Sequence, residues 1–264
     1  MKIAILGTGN LGYSIAIGLL SQTTFKLEQL YLTKRDTSSL DEWKNLPNVI
    51  ISTDNNKAVT ESDVLIIAVQ PNQLAHILSE IKEQVDPTRH TVLSVVTGRK
   101  IQEIEDELGN EIAVIRCMPN TAISVGQSMT CISGNRNGNG KIDLARTIFN
   151  ALGQTMVIEE NLMQAATVIC ASGVAFWMRL IRATTQGAIQ LGFDAKEAQD
   201  LAMQTSLGAA SLLIQSGNHP EQEIDRVTTP SGCTIEGLNE MEHQGLSSSI
   251  IKGLVLSYEK IANI

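Results

Sequence analysis

Lys2-Ile3-Ala4-Ile5-Leu6-Gly7-Thr8-Gly9-Asn10-Leu11-Gly12 is the stretch that decides the fold. Five mostly apolar residues read as a strand, and the apolar spacing from Leu11 to Ser21 reads as a helix. Between them lies G-x-G-x-x-G. Such a hexapeptide is a weak signal alone, but this one directly follows a strand and opens a helix. In that setting Gly7 permits the tight turn, Gly9 lets the backbone approach a pyrophosphate, and Gly12 lets the helix close on the strand. The helix N-terminus then offers free N–H groups and a positive dipole end to phosphates. The chain is thus expected to open with a dinucleotide-binding unit.

Working outward, short apolar runs alternate with amphipathic stretches up to about residue 160. Strands are expected at 2–6, 29–33, 49–52, 63–69, 91–95, 112–117, 128–133 and 155–158. Helices are expected at 11–21, 55–61, 72–84, 101–108 and 141–152. Runs such as Val64-Leu65-Ile66-Ile67-Ala68-Val69 are apolar on both faces, as strands covered by helices on two sides require. Strand, helix, strand in this order implies a parallel, doubly wound α/β sheet. Residues 134–140, rich in Gly and Asn, read as a surface turn. Beyond Glu159 no strand is expected as far as Ser216, and good helix formers dominate. A helix should end near Leu191, with Asp194 and Glu197 forming a capping box for the next. A polar loop at 217–220 follows, then the cluster Thr228–Thr234, then two shorter helices. The expected organisation is a Rossmann-type domain at 1–159 and an all-α domain at 160–264.

Composition narrows the function. The 264 residues carry 20 Lys plus Arg against 28 Asp plus Glu, a net charge of −8, and only 3% are aromatic. Both figures weigh against nucleic-acid binding, which needs cations and stacking platforms. Four cysteines without C-x-x-C spacing are expected to stay reduced. Four histidines show no zinc-ligand spacing, so no metal is expected. No apolar run approaches a membrane span, and the short apolar start breaks at Gly7, so no signal peptide is expected. The reading is a soluble, cytoplasmic protein.

The end of the second strand bears on cofactor choice. NAD sites place an acidic residue there, whereas NADP sites place cations near the 2′-phosphate. Here Thr33, Lys34 and Arg35 offer a hydroxyl and two cations before the first carboxylate, Asp36. NADPH is therefore preferred, with NADH possible; two solvated surface cations are the competing explanation. Ala68-Val69-Gln70-Pro71 ends a buried strand, where open α/β sheets bind ligands. Cys117-Met118-Pro119-Asn120-Thr121 ends another and also reads as an ordinary Pro-Asn turn.

Six stretches in order carry a more specific signal: GTGNLG (7–12), DVLIIAVQP (63–71), RCMPNTAISVGQS (116–128), SGVAFWMRLIRA (172–183), AMQTSLGAASLL (202–213) and HPEQEIDRVTTPSGCTIEGLNEME (219–242). Through them the chain resembles the pyrroline-5-carboxylate reductases, which reduce a cyclic imine to proline with NADPH or NADH. The resemblance implies that Gly7, Gly9, Asn10, Leu11 and Gly12 hold the pyrophosphate. Thr33, Lys34 and Arg35 would surround the 2′-phosphate, and Asn56 would approach the same ribose. Ala68, Val69 and Pro71 would line the path to the nicotinamide, with Met118, Pro119 and Asn120 beside its ring. Thr229, Ser231, Gly232, Cys233 and Thr234 would receive the small imino-acid substrate. The family resemblance further implies a C-terminal helical domain that interlocks with its twin into a homodimer, dimers assembling into larger rings, and an active site shared with a neighbouring subunit.

Some positions depart from the family's pattern. Gln70 replaces a Lys, Val174 a Pro, Phe176 a Tyr, and the S-P-G-G-T-T loop reads Thr229-Pro230-Ser231-Gly232-Cys233-Thr234. The chemistry tolerates this, because an iminium substrate arrives protonated and needs no strong side-chain acid. The Thr234 hydroxyl, read as the catalytic group, could hydrogen-bond the ring nitrogen while loop N–H groups take the carboxylate. A plain turn with Thr234 as a helix N-cap is the competing explanation for this loop. Cys233 lacks a cationic neighbour in sequence and reads as a packed residue rather than a nucleophile. A β-hydroxyacid dehydrogenase would need a Lys on the first long helix, and none occurs between Lys141 and Lys196. A noncatalytic dinucleotide-binding relative with a regulatory or competence-related role is the alternative from another class. The small and aliphatic faces of residues 161–216 exceed what about 100 residues can cover alone, which also predicts a homodimer.

Overall fold

A computed structural model describes residues 1–261 of the chain. They divide into two compact units, one formed by Met1–Val174 with Lys260 and Ile261, the other by Ala175–Glu259. In the first unit the strands are β1 (Lys2–Leu6), β2 (Gln29–Thr33), β3 (Val49–Ser52), β4 (Val64–Ile67), β5 (Thr91–Ser94), β6 (Ala113–Met118), β7 (Ser128–Gly134) and β8 (Gly153–Val157). They form one sheet in the order β3-β2-β1-β4-β5-β6-β7-β8. The order reverses direction at β1, whose two flanks are β2 and β4, and this is the switch point where such sheets open a crevice.

The helices are α1 (Asn10–Ser21), α2 (Asn55–Thr60), α3 (Leu74–Ile81), α4 (Ile101–Leu108), α5 (Arg136–Asn139), α6 (Ile142–Asn150) and α7 (Met163–Ala166). Alternation along β1 sorts them. Ile3 and Ile5 face α1 and α6 through Ile15, Leu19, Ile148 and Phe149, all buried. Ala4 and Leu6 face α2, α3 and α4 through Val59, Leu78 and Ile104. The sheet is thus covered on both sides, as its apolar strands require.

One strand pair departs from the parallel expectation: β7 runs antiparallel to β6. Residues 119–127 between them fold into a short 3-10 turn (Thr121–Val125). That is too short to return the chain to the far end of the sheet, which a parallel crossover demands. Residues 134–140 are also more than a surface turn. Asn135 Oδ1 accepts from Gly138 N at 2.5 Å and from Val114 N at 3.1 Å, which winds α5 against the sheet.

Beyond β8 the chain is helical, as expected. Residues Glu160–Gln190 form one continuous helix of 31 residues. It comprises a 3-10 turn at Glu160–Leu162, α7, a wide π turn at Thr167–Ser172, and α8 (Gly173–Gln190). It is long and apolar enough to match a membrane span, yet only 22% of its most apolar window is buried within the chain. A search for unbroken apolar runs misses it because Gln164, Thr167 and Ser172 interrupt the sequence. Then follow α9 (Ala195–Ser216), α10 (Pro220–Val227), α11 (Cys233–His243) and α12 (Leu246–Ile261). The Asp194 carboxylate accepts from Lys196 N at 2.8 Å and Glu197 N at 2.9 Å, completing the foreseen cap. Helix α10 was not foreseen; its N-cap is His219, whose Nδ1 accepts from Glu221 N at 3.3 Å.

Candidate active site

The glycine loop is held from three sides. Gly7 has φ +93°, and a Cβ there would lie 2.5 Å from Val69 Cγ1. The loop therefore rests directly on the end of β4, and only glycine fits. The Thr33 carbonyl accepts from Gly7 N at 3.2 Å and Thr8 N at 2.8 Å. A Cβ on Gly12 would meet the Gly7 oxygen at 2.5 Å and Ile5 Cγ2 at 3.2 Å, so α1 closes on β1 through this glycine. At Gly9, by contrast, an added Cβ finds nothing within 4 Å. Gly9 is the N-cap of α1 and contributes no side-chain cap, so the first-turn N–H groups have no intrahelical acceptor.

This open cradle is one end of a cleft of about 900 Å³ beside β1. Gly7, Thr8 and Gly9 form one rim, Thr33, Lys34, Arg35 and Asp36 another, and Ala68, Val69 and Gln70 the floor. The far wall is a stripe of α3 and its approach: Gln73, His76, Ile77 and Glu80. Their spacing of three and four places them on one helix face. Asn55 also lines the cleft, and its Nδ2 donates to both Glu80 oxygens at 3.1 and 3.0 Å. Lys34 Nζ donates to Ser39 Oγ at 2.6 Å. Among the described residues no carboxylate pairs with Arg35. The Ser38 amide and hydroxyl hold the Asp36 carboxyl below its ordinary range.

A dinucleotide fits these residues. The cradle has room where a pyrophosphate must approach, and two cations border the same cleft. Thr8 Oγ1 is buried there with no hydrogen-bond partner among the described residues.

The remaining expected residues are distributed differently. Asn10, Leu11 and Gly12 stand behind the loop as the first turn of α1. Asn56 does not line the cleft; its neighbour Asn55 does, and Asn56 Oδ1 is buried without a partner among the described residues. Pro71 starts a 3-10 turn and lines a separate shallow groove beside α4. Met118, Pro119 and Asn120 are buried outside the cleft lining. Asn120 is a structural tie: its Oδ1 accepts from Ala122 N at 2.9 Å, and its Nδ2 donates to the Cys170 carbonyl at 2.9 Å.

The loop 229–234 belongs to the second unit. Gly232 N donates to the Thr229 carbonyl at 2.9 Å, and a Cβ on Gly232 would strike Thr229 Oγ1 at 2.4 Å. Ser231 has φ 55°, a left-handed conformation. The N-cap of α11 is Gly232, so Thr234 sits inside the first turn and is not the cap. Cys233 is exposed and Thr234 half-buried.

Comparisons with known proteins give this arrangement its context. Residues 160–264 match the family model described as pyrroline-5-carboxylate reductase dimerisation. Residues 2–98 match the model described as NADP oxidoreductase, coenzyme F420-dependent. Pyrroline-5-carboxylate reductase 2 of Dictyostelium discoideum is 42% identical over 98% of this chain and 91% of its own length. The chain belongs to the pyrroline-5-carboxylate reductase family. Pyrroline-5-carboxylate reductase 1 of the same organism is also 42% identical over 99% of the chain, which spans about half, 49%, of that longer relative. The fold matches that of Plasmodium falciparum pyrroline carboxylate reductase, solved with NADP bound, at a TM-score of 0.89 and 23% identity, covering 100% of this chain and 97% of the other. Within the reductase family the departures noted at Gln70 and Ser231 have local settings here. Gln70 N donates to Gln73 Oε1 at 3.2 Å at the start of the 3-10 turn, on the cleft floor. Ser231, where the family's pattern has a glycine, takes a left-handed backbone conformation that a glycine would enter without a Cβ penalty.

Proposed function

We propose that the protein reduces 1-pyrroline-5-carboxylate to proline with NADPH, and more weakly with NADH. The observation that carries this reading is the open glycine cradle at Gly9 with Lys34 and Arg35 bordering the same cleft, in a chain of this family. When bound, the dinucleotide supplies the hydride. The chain's residues supply grip, orientation and hydrogen bonds. Gly7 and Gly9 admit the pyrophosphate, and the first-turn N–H groups of Asn10, Leu11 and Gly12 neutralise it. Thr33 braces the loop, while Lys34 and Arg35 take the 2′-phosphate, for which a guanidinium fork is well matched. Asn56 serves the ribose. Ala68, Val69 and Pro71 guide the nicotinamide half, and Met118, Pro119 and Asn120 back it.

The loop of Thr229, Ser231, Gly232, Cys233 and Thr234 takes the substrate. It opens α11, whose first N–H groups suit a carboxylate, and the Thr234 hydroxyl hydrogen-bonds the ring nitrogen as it gains its electron pair. The reading includes the division into a dinucleotide domain at 1–159 and a helical substrate and dimerisation domain at 160–264. It also includes a cytoplasmic homodimer joined through the C-terminal helices and able to build larger rings. The test is direct: purified protein, NADPH and pyrroline-5-carboxylate, followed by loss of NADPH absorbance. Turnover with proline as product is expected. A flat trace over a wide substrate range, with NADPH still binding, would overturn it.

A further inference from the structure

Of the three cysteines outside both the cleft and the loop 229–234, two lie close together. Cys131 is on β7, opposite Met118 of β6, and is 4% exposed. Cys170 is in the π turn Thr167–Ser172 and is partly exposed. Their sulfurs are 3.9 Å apart although 39 residues separate them in sequence. We propose that Cys131 and Cys170 form a reversible redox site, closing to a disulfide under a peroxide oxidant and reopening under a thiol reductant.

Three features of the surroundings support it. A disulfide needs the sulfurs about 2 Å closer, and Cys170 sits where the helix is wound wide. A π turn carries an extra residue within the helical ladder, slack that a tight α-helix lacks. A hydrogen bond between the two sulfurs lowers the Cys170 pKa to about 7 and raises that of Cys131. The thiolate is the reactive form, so Cys170 is the attacking group and Cys131 the resolving one. The other two cysteines lack this arrangement. Cys117 is buried in the sheet with its thiol pKa pushed up by desolvation, and Cys233 has no sulfur neighbour among the described residues.

The chemistry balances with hydrogen peroxide. The Cys170 thiolate attacks one peroxide oxygen, the O–O bond breaks, and the leaving hydroxide takes up the proton that Cys170 released. Cys170 is then a sulfenic acid. The Cys131 sulfur attacks it, the S–S bond forms, the S–O bond breaks, and the oxygen leaves as a second water with the Cys131 proton. Two thiols lose two electrons and the peroxide gains them. Because Asn120 Nδ2 holds the Cys170 carbonyl, the closed bond would fasten the π turn to β7 beside that contact.

The test uses the full chain, reduced, desalted and treated with hydrogen peroxide near one equivalent, then digested without reductant. The expected result is a mass loss of about 2 Da and a peptide pair joined through Cys131 and Cys170, reversed by dithiothreitol. In a Cys131→Ala variant, dimedone should trap Cys170 as the sulfenic acid. Before oxidation, Cys170 should alkylate at least about tenfold faster than Cys117 at pH 7. Oxidation confined to Cys233, or sulfinic acid at Cys170 with Cys131 still a free thiol, would overturn the proposal. None of these readouts involves a dinucleotide or an imine, so this result stands or falls separately from the catalytic reading.

Discussion

Gly12 lies so close beneath Gly7 that a methyl group added to it would sit 2.5 Å from the Gly7 carbonyl oxygen. The obstacle is backbone, which cannot swing aside as a flexible side chain can. Gly12→Ala should therefore cost about 1–3 kcal/mol, the range for overpacking a filled interior. Gly9→Ala has open space and should leave the unfolding midpoint within about 0.5 kcal/mol of the parent. Urea titration of both variants tests the contrast, and equal losses would contradict this geometry. Gly9→Asp should fold as well as Gly9→Ala yet lose NADPH binding, since its carboxylate would occupy the cradle and repel phosphate. Nicotinamide fluorescence titration reads that outcome.

Arg35 has no carboxylate partner among the described residues, so its guanidinium is available to a ligand. Arg35→Ala should weaken NADPH by about 1.5–3 kcal/mol, the scale of a charge-assisted hydrogen bond, and NADH hardly at all. Isothermal titration with each dinucleotide separates the two. An equal loss for both would move the 2′-phosphate away from Arg35.

The His90 ring is buried, and its Nδ1 accepts from Asp86 N at 2.8 Å. Nε2 therefore carries the hydrogen and donates to the Val59 carbonyl at 3.1 Å. Burial first, then the Arg89 charge, lowers the His90 pKa below its ordinary 6.5. Below that ordinary value the unfolded chain takes a proton that the folded chain refuses, so stability falls as pH falls. The urea midpoint should drop between pH 7 and pH 5, with a shallower drop in His90→Gln. Identical slopes in the two proteins would remove His90 as a source of the acid sensitivity.

Ser231 holds φ 55° on an exposed loop. A left-handed conformation costs a non-glycine residue about 1–2 kcal/mol, and a β-branched residue tolerates it worst. Ser231→Val should destabilise the protein relative to Ser231→Gly by at least about 1 kcal/mol. Thermal unfolding of the pair measures this, and a midpoint for Val equal to that for Gly would show that the loop has relaxed.

Leu207 and Ile214 are seven residues apart on α9 and are 60% and 74% exposed. On a helix that spacing puts them on one face. If this face joins two chains, sedimentation should find a dimer or larger at micromolar concentration. Leu207→Glu should then weaken association at least about tenfold, equivalent to about 1.4 kcal/mol. A parent chain that sediments as a monomer would refute the dimer.

The legibility of the sequence followed the range of the forces involved. β1, β2 and β3 match their expected ends because apolar runs stop at turn residues there. The direction of β7 was hidden, since a strand's direction depends on the length of the link before it. Helix α10 has no counterpart in the sequence reading, where 217–220 is a polar loop and 221–227 is unassigned: Pro220 at a helix start is a valid signal, but His219 is not a usual cap. In the site, Gly7, Gly9, Thr33, Lys34 and Arg35 were legible from local spacing alone. The α3 stripe of Gln73, His76, Ile77 and Glu80 was missed, although a helix with that spacing after a buried strand end could have revealed it. Asn55, which lines the cleft beside Asn56, carries no signal in the sequence that sets it apart from its neighbour. The role of Asn120 had no local signal, because its partner carbonyl lies fifty residues away at Cys170.

Thr33 connects the glycine turn to the two cations on the same cleft. Its carbonyl pins the glycine turn, its hydroxyl lies 3.4 Å from both Gly7 N and the Ile5 carbonyl, and Lys34 and Arg35 follow it directly. This sets a boundary between what can drift and what cannot. If Lys34 and Arg35 take the 2′-phosphate as proposed, changed charges at positions 34 to 36 should retune the choice between phosphorylated and unphosphorylated cofactor without disturbing the turn. A change at Thr33 should then be felt at both ends of the same ligand. Engineering for NADH should begin one residue later.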